Sequence, residues 1–269
     1  MNQAPVGIFD SDIGGLSVVY EFRNLCPSEE IIYFADTANY PYGTKKSEFV
    51  LKRFQETMSF FSREGVKAVL IACSTASAIA FSHFQDYPGM EIIGMLNDRL
   101  LYVVSHSTLT PNVGIIATEL TVKSGAFNRF LNGHSARFQI HSEPATELVS
   151  AVTIGDLSGK TIEPILMSLL KKFDLEKLGC MIIGCTHFYH VRDQLKKLLG
   201  NIPLIEPSRV ASLFLQSRLE ECAKLSRKKE TARVRCQVSG DLDLFQKRVQ
   251  ALELNQGKRY IDIFLPGFL

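Results

Sequence analysis

The same short pattern occurs twice in this chain, and it limits the folds the chain can adopt. Val69-Leu-Ile-Ala-Cys-Ser-Thr75 and Met181-Ile-Ile-Gly-Cys-Thr-His187 are each an apolar run closed by a small residue, a cysteine and polar residues. A run of this kind reads as a strand buried on both faces of a parallel sheet. Such a strand delivers its last side chains to the sheet's carboxyl edge, where open α/β sheets place their ligands. Cysteine alone is more often a small buried hydrophobe than a reactive group. Two core cysteines, however, have no reason to share a polar flank. Cys73 and Cys185 are therefore read as functional, and Cys26, Cys180, Cys222 and Cys236 as structural.

The rest of the chain alternates in the same way. Strands are expected at Val6–Phe9, ending at Asp10, and at Ile31–Ala35, Ala68–Ala72, Ile92–Met95, Val113–Ala117, Phe138–His141, Met181–Gly184 and Tyr260–Phe264. Helices are expected at Leu16–Leu25, from Ser47 as cap to Glu64 with Gly65 closing it, from near Thr75, and at Thr121–Leu131, Lys160–Lys172, Val191–Leu199 and Ala211–Leu225. Gly14-Gly15 permits a tight turn and close backbone approach to a ligand. Asp36–Thr44 is expected to be a loop, and Pro203-Leu-Ile-Glu-Pro207 a return connection.

Strands alternating with helices imply parallel α/β architecture. The repeated strand-Cys-Thr-helix pattern suggests two similar parallel-sheet domains with the site in the cleft between them. The expected first domain is 1–97, completed by 208–269, and the second is 98–207. Two thiols facing one bound molecule suit a reaction needing acid/base groups on opposite faces of one carbon, which is the requirement of racemisation.

Composition removes other classes. With 30 basic against 28 acidic residues, the net charge of +2 does not call for nucleic acid. The basic stretch Arg218–Arg235 also carries Glu220, Glu221 and Glu230, and reads as a solvated helix face. No apolar run reaches the roughly 18 residues a bilayer span needs, so no membrane partner is expected. The N-terminus lacks the charged and apolar regions of a signal peptide, and the cysteines lack the spacing of a small secreted framework. The expectation is a reduced, cytoplasmic enzyme. Cys185, His187 and His190 are zinc-ligand types, but the close pair could chelate only from an extended turn and no further ligand pair is near, so no metal is expected.

Five segments, in order, resemble the cofactor-independent aspartate/glutamate racemase superfamily, within it the glutamate racemases. They are Phe9-Asp-Ser-Asp-Ile-Gly-Gly15, Tyr33-Phe-Ala-Asp-Thr-Ala38 with Pro41-Tyr42-Gly43, Ala72-Cys-Ser-Thr-Ala-Ser77, Ala117-Thr-Glu-Leu-Thr-Val-Lys-Ser-Gly-Ala126, and Gly184-Cys-Thr-His187. The resemblance implies interconversion of L- and D-glutamate without a cofactor, supplying peptidoglycan synthesis, and leaves room for a homodimer. It makes Cys73 and Cys185 the acid/base pair, with Asp10 helping one thiol and His187 the other. An unperturbed thiol is mostly protonated at neutral pH, so one of the two needs local activation. From the residues alone, Asp10 could equally cap the first helix and His187 be a satisfied buried histidine.

By the same resemblance the substrate contacts are Asp10, Ser11, Tyr42, Gly43, Ser74, Thr75, Thr118, Thr186 and His187. No arginine lies in these motifs, which points to carboxylate recognition by backbone N–H and hydroxyl groups. Four positions depart from the family pattern: Asp12 replaces a glycine, Ser74 an asparagine and Thr153 an acidic residue, and Phe188-Tyr189-His190 replaces an aromatic-proline-aliphatic run. Asp12 is expected to repel a dianionic substrate. His190 is expected on a helix surface. Two other readings fit part of the pattern: an aspartate-type racemase, and a low-turnover amino-acid-binding or regulatory protein. A reversible disulfide switch would require the two sulfurs within bonding distance.

Overall fold

A computed structural model of the chain describes residues 3–87, 89–133, 137–226 and 230–256. Its strands are β1 Val6–Asp10, β2 Ile31–Ala35, β3 Ala68–Ile71, β4 Glu91–Gly94, β5 Asn112–Ala117, β6 Gln139–Pro144, β7 Cys180–Gly184, β8 Leu204–Ile205 and β9 Val234–Val238. Its helices are α1 Leu16–Leu25, α2 Ser47–Arg63, α3 Ser74–Ala80, α4 Asp98–Ser107, α5 Glu119–Ser124, α6 Ala126–Asn132, α7 Thr146–Thr153, α8 Gly159–Leu170, α9 Arg192–Leu199, α10 Pro207–Glu221 and α11 Leu242–Gln256. The strands form two sheets, ordered β4-β3-β1-β2-β9 and β6-β5-β7-β8. Every pairing is parallel. The fold is two parallel-sheet α/β domains, as expected.

Side-chain alternation distributes each strand between two cores. In β3, Ala68 and Leu70 join the core shared by the two sheets, while Val69 and Ile71 face an outer core with Phe54 and Phe61. In β7, Met181 and Ile183 enter the shared core, and Cys180 and Ile182 pack outward with Leu100 and Phe127. This period of two is why each strand reads as a continuous apolar run. Cys73 continues the parity of Val69 and Ile71, whereas Cys185 continues that of Met181 and Ile183. Helix α10 packs against α1, α4, β3 and β7, and so touches elements of both sheets.

Several expected boundaries change. The helix expected over Thr121–Leu131 is two helices, because Gly125 takes a left-handed φ of 62° and ends the first. The helix expected from Ala211 starts at Pro207, whose fixed φ and missing N–H suit the first helical position. His190 is buried rather than on a surface, since Thr186–Val191 forms a 3-10 turn packed on α1 and α7. Helices α4, α7 and α11 and strands β8 and β9 are further elements. Asn97 caps α4 by accepting the Leu100 N–H at 3.0 Å. The strand expected at Tyr260–Phe264 lies outside the described residues.

Candidate active site

Parallel strands put all their carboxyl ends on one edge, and the two edges meet here. The ends of β1, β3, β5 and β7 contribute Ser11, Cys73, Thr118 and Cys185 to one cavity of about 260 Å³. The loop after β2 adds Tyr40–Thr44, and one face of α7 adds Thr146, Val149, Ser150 and Thr153. Both sulfurs are buried, free and lining this space. Ser74, Thr75, Thr186 and His187 also line its wall, so of the expected contacts all but Asp10 border this cavity.

The wall is held by bonds that cross between the sheets. Thr75 and Thr118 hydroxyls lie 2.9 Å apart, and Thr121 Oγ1 is 2.8 Å from Thr118 and 3.2 Å from Thr75. Gly43 packs so tightly on Thr118 that a Cβ there would lie 2.6 Å from the threonine Cβ. Tyr42 donates to Asp36 at 2.5 Å, and Arg53 (2.8 and 2.9 Å), Ser239 (2.7 Å) and Asn39 (3.0 Å) also donate to that carboxylate. Burial pushes the Asp36 carboxyl up, but these donors outweigh it and hold it below the usual range.

Each thiol has its own neighbours. Cys73 Sγ is 3.7 Å from Ser11 Oγ, and burial reinforced by the nearby Asp10 charge pushes its pKa up to about 12. Cys185 Sγ is 3.9 Å from His187 Nδ1. Burial disfavours an imidazolium at His187, but Tyr40, Asp12 and Cys185 together outweigh it and hold the group well above 6.5. The Tyr40 ring stacks on His187 at 5.6 Å, and its hydroxyl lies 2.6 Å from Thr153 Oγ1.

Asp10 does not line the cavity. It lies buried behind it, accepting hydrogen bonds from the Asp12 N–H at 3.0 Å and from Thr186 Oγ1 at 3.1 Å. Desolvation raises its carboxyl to about 6 despite the opposing charge of His187. Asp12 differs from expectation. Its carboxylate does not line the cavity, and Arg248 Nη1 lies 3.2 and 3.3 Å from its oxygens and His187 Nε2 3.6 Å away. The expected repulsion of a dianion is therefore offset by two basic groups. The close approach expected at Gly14 is made by protein, not ligand: a Cβ there would meet Thr186 Oγ1 at 2.5 Å and His187 Nδ1 at 2.6 Å.

Sequence reasoning missed Tyr40, Thr146, Val149 and Ser150 in the wall, and Arg248 behind it. The spacing Thr146, Val149, Ser150, Thr153 is a helical face and was the available signal for α7. Nothing in the sequence links Arg248 to Asp12, because α11 reaches the site only through the folded chain.

Comparison with known proteins agrees with this arrangement. The family model for Asp/Glu/Hydantoin racemases matches residues 17–213. Glutamate racemase of Stutzerimonas stutzeri (strain A1501) is 33% identical over 266 residues, 98% of each chain. Among solved structures, glutamate racemase from Francisella tularensis subsp. tularensis SCHU S4 in complex with D-glutamate superposes with a TM-score of 0.86 at 30% identity, covering 98% of this chain and 97% of that one. Glutamate racemase from Thermus thermophilus in complex with beta-chloro-D-alanine gives a TM-score of 0.86 at 27% identity, over 98% and 96%. With two parallel sheets meeting at a two-thiol cavity and similarity running along nearly its whole length, the chain belongs to the Asp/Glu/hydantoin racemase family.

Proposed function

We propose that this protein interconverts L- and D-glutamate by a two-thiol mechanism that uses no cofactor. The carrying observation is that two free cysteines from different sheets line one small cavity. At about 260 Å³ the space is below the roughly 300–1,000 Å³ usual for larger ligands, which suits an amino acid. Hydroxyls of Ser11, Ser74, Thr75, Thr118 and Thr186 offer donors to its carboxylates, and among the described residues no arginine or lysine lines the wall.

One thiolate removes the α-proton and the opposite thiol delivers a proton to the other face, inverting the carbon. Cys73, with its pKa raised, is held as the thiol and is the donor when Cys185 acts as base. His187 stabilises negative charge on the Cys185 sulfur. When Cys73 is the thiolate, the nearby Asp10 charge opposes it, and Asp10 in its neutral form would ease that ionisation. The D-glutamate formed would serve peptidoglycan synthesis. The test is formation of D-glutamate from L-glutamate by the purified chain without added cofactor, with aspartate in parallel. Turnover of aspartate alone, or of neither amino acid, would refute the proposal.

A further inference from the structure

We propose that Asp12 and Arg248 are positioning residues for Cys185: Asp12 orients His187 toward the sulfur and supplies its counter-charge, and Arg248 anchors Asp12. The inference rests on the racemase reading of Cys185 and extends it to a carboxylate and a guanidinium that touch no part of the cavity.

The geometry is a line of alternating charge. Arg248 Nη1 is 3.2 Å from Asp12 Oδ1, Asp12 Oδ2 is 3.6 Å from His187 Nε2, and His187 Nδ1 is 3.9 Å from Cys185 Sγ. The two ring nitrogens therefore face two different partners. A carboxylate and a thiolate both accept, and a neutral imidazole has one N–H to give. With the sulfur as a thiolate, facing both requires the imidazolium, and at 3.6 Å the contact of Nε2 with the carboxylate is ionic rather than a hydrogen bond. The ring is fixed in this orientation by Tyr40 stacked on its face and by Gly14 packed against its Nδ1 edge.

Asp12 is fully buried, so its charge needs compensation, and Arg248, whose side chain is 25% exposed, provides it from α11. The titratable and charged groups facing His187 are Asp10 and Asp12 from the end of β1, Tyr40 from the loop after β2, and Cys185 at the end of β7. Of these, Asp12 is the carboxylate aligned with Nε2. The Cys73 sulfur, by contrast, meets the Ser11 hydroxyl and the field of Asp10. The two thiols are thus served by different machinery.

The experiment combines a titration with kinetics on the full chain. Histidine labelled with carbon-13 at Cε1 reports the charge of His187 in the wild-type protein and in Asp12→Asn. The expected result is an imidazolium that persists above the ordinary histidine range in the wild type and is lost at clearly lower pH in the variant. The variant's kcat should fall about tenfold at pH 8 with KM little changed, and the gap should close toward pH 6. Arg248→Met, which removes the group that anchors Asp12, should give the same loss, and Arg248→Lys should restore activity.

A neutral His187 in the wild type near pH 7 would overturn the inference, and this result needs no variant to fold. A folded Asp12→Asn that keeps the wild-type profile, or loses activity equally at every pH, would overturn it too. A wild-type profile in Arg248→Met would remove Arg248 from the role. Failure of the wild-type chain to racemise glutamate would instead refute the function proposed above, which the histidine titration does not depend on.

Discussion

Cys73 and Cys185 close similar sequence segments yet sit in different fields. On the proposed mechanism each serves one face of the substrate carbon, so Cys73→Ala or Cys185→Ala should lower turnover by about a thousandfold or more while the fold survives. Circular dichroism and the racemisation assay together check this. In deuterated water, early product should carry deuterium at the α-carbon while unreacted substrate stays protiated. Product that keeps most of its protium would point to one base that moves between faces. Asp10 allows a stability test. Its folded-state pKa of about 6 exceeds its ordinary 3.8, so the folded state holds the proton more tightly. Folding is then penalised by the charged form as pH rises through that window, by on the order of 2–3 kcal/mol at neutral pH. Asp10→Asn should raise stability in urea at pH 7 by up to that amount and much less at pH 4, while activity falls. Equal effects at both pH values would contradict the assigned cause.

At the scale of elements, the turn after β1 decides where His187 sits. Gly14→Ala would drive a methyl against Thr186 and His187, and overpacking of this kind costs about 1–3 kcal/mol. Activity should drop at least tenfold, more than stability predicts, because the displaced groups belong to the cavity wall. Wild-type kcat in this variant would show that the wall yields without consequence. The elements legible in the sequence were those with strong periodicity. Strands β1, β3 and β7 are apolar on both faces, and α2 carries a regular apolar stripe closed by Gly65 at φ 65°. Helix α7 was not legible because TELVSAVT is rich in β-branched residues, whose weak helix preference is overridden by packing on the shared core. Strand β9 is mixed in polarity and pairs with β2, about two hundred residues distant, which no local pattern encodes. The cavity was legible where motifs mark strand ends. It was not legible where a helix face or a single tyrosine reaches in from elsewhere.

Across the whole molecule, the segment after α10 is tied to the first sheet by a buried ion pair. Lys67 Nζ lies 2.6 Å from Glu29, both side chains 2% exposed, and also donates to the Lys224 carbonyl at 2.8 Å, while Glu29 accepts the Ser226 N–H at 2.5 Å. Removing one partner of such a pair leaves an uncompensated charge, so Lys67→Met should cost about 3–5 kcal/mol in urea unfolding. A loss below 1 kcal/mol would show that water reaches Glu29. The unequal surroundings of the two thiols have a consequence of a different kind. Enantiomers have equal free energy in solution, so thermodynamics fixes the ratio of the two kcat/KM values at unity however the enzyme is built. No such constraint applies to kcat or KM separately. A site with an imidazolium behind one sulfur and a hydroxyl beside the other would hold its two protonation forms at different energies. Each form accepts one hand of the substrate, so the enzyme would saturate at different concentrations of the two mirror images and run at different maximal speeds, with the two differences cancelling. Handedness would then be read in how full the enzyme is, never in where the reaction comes to rest.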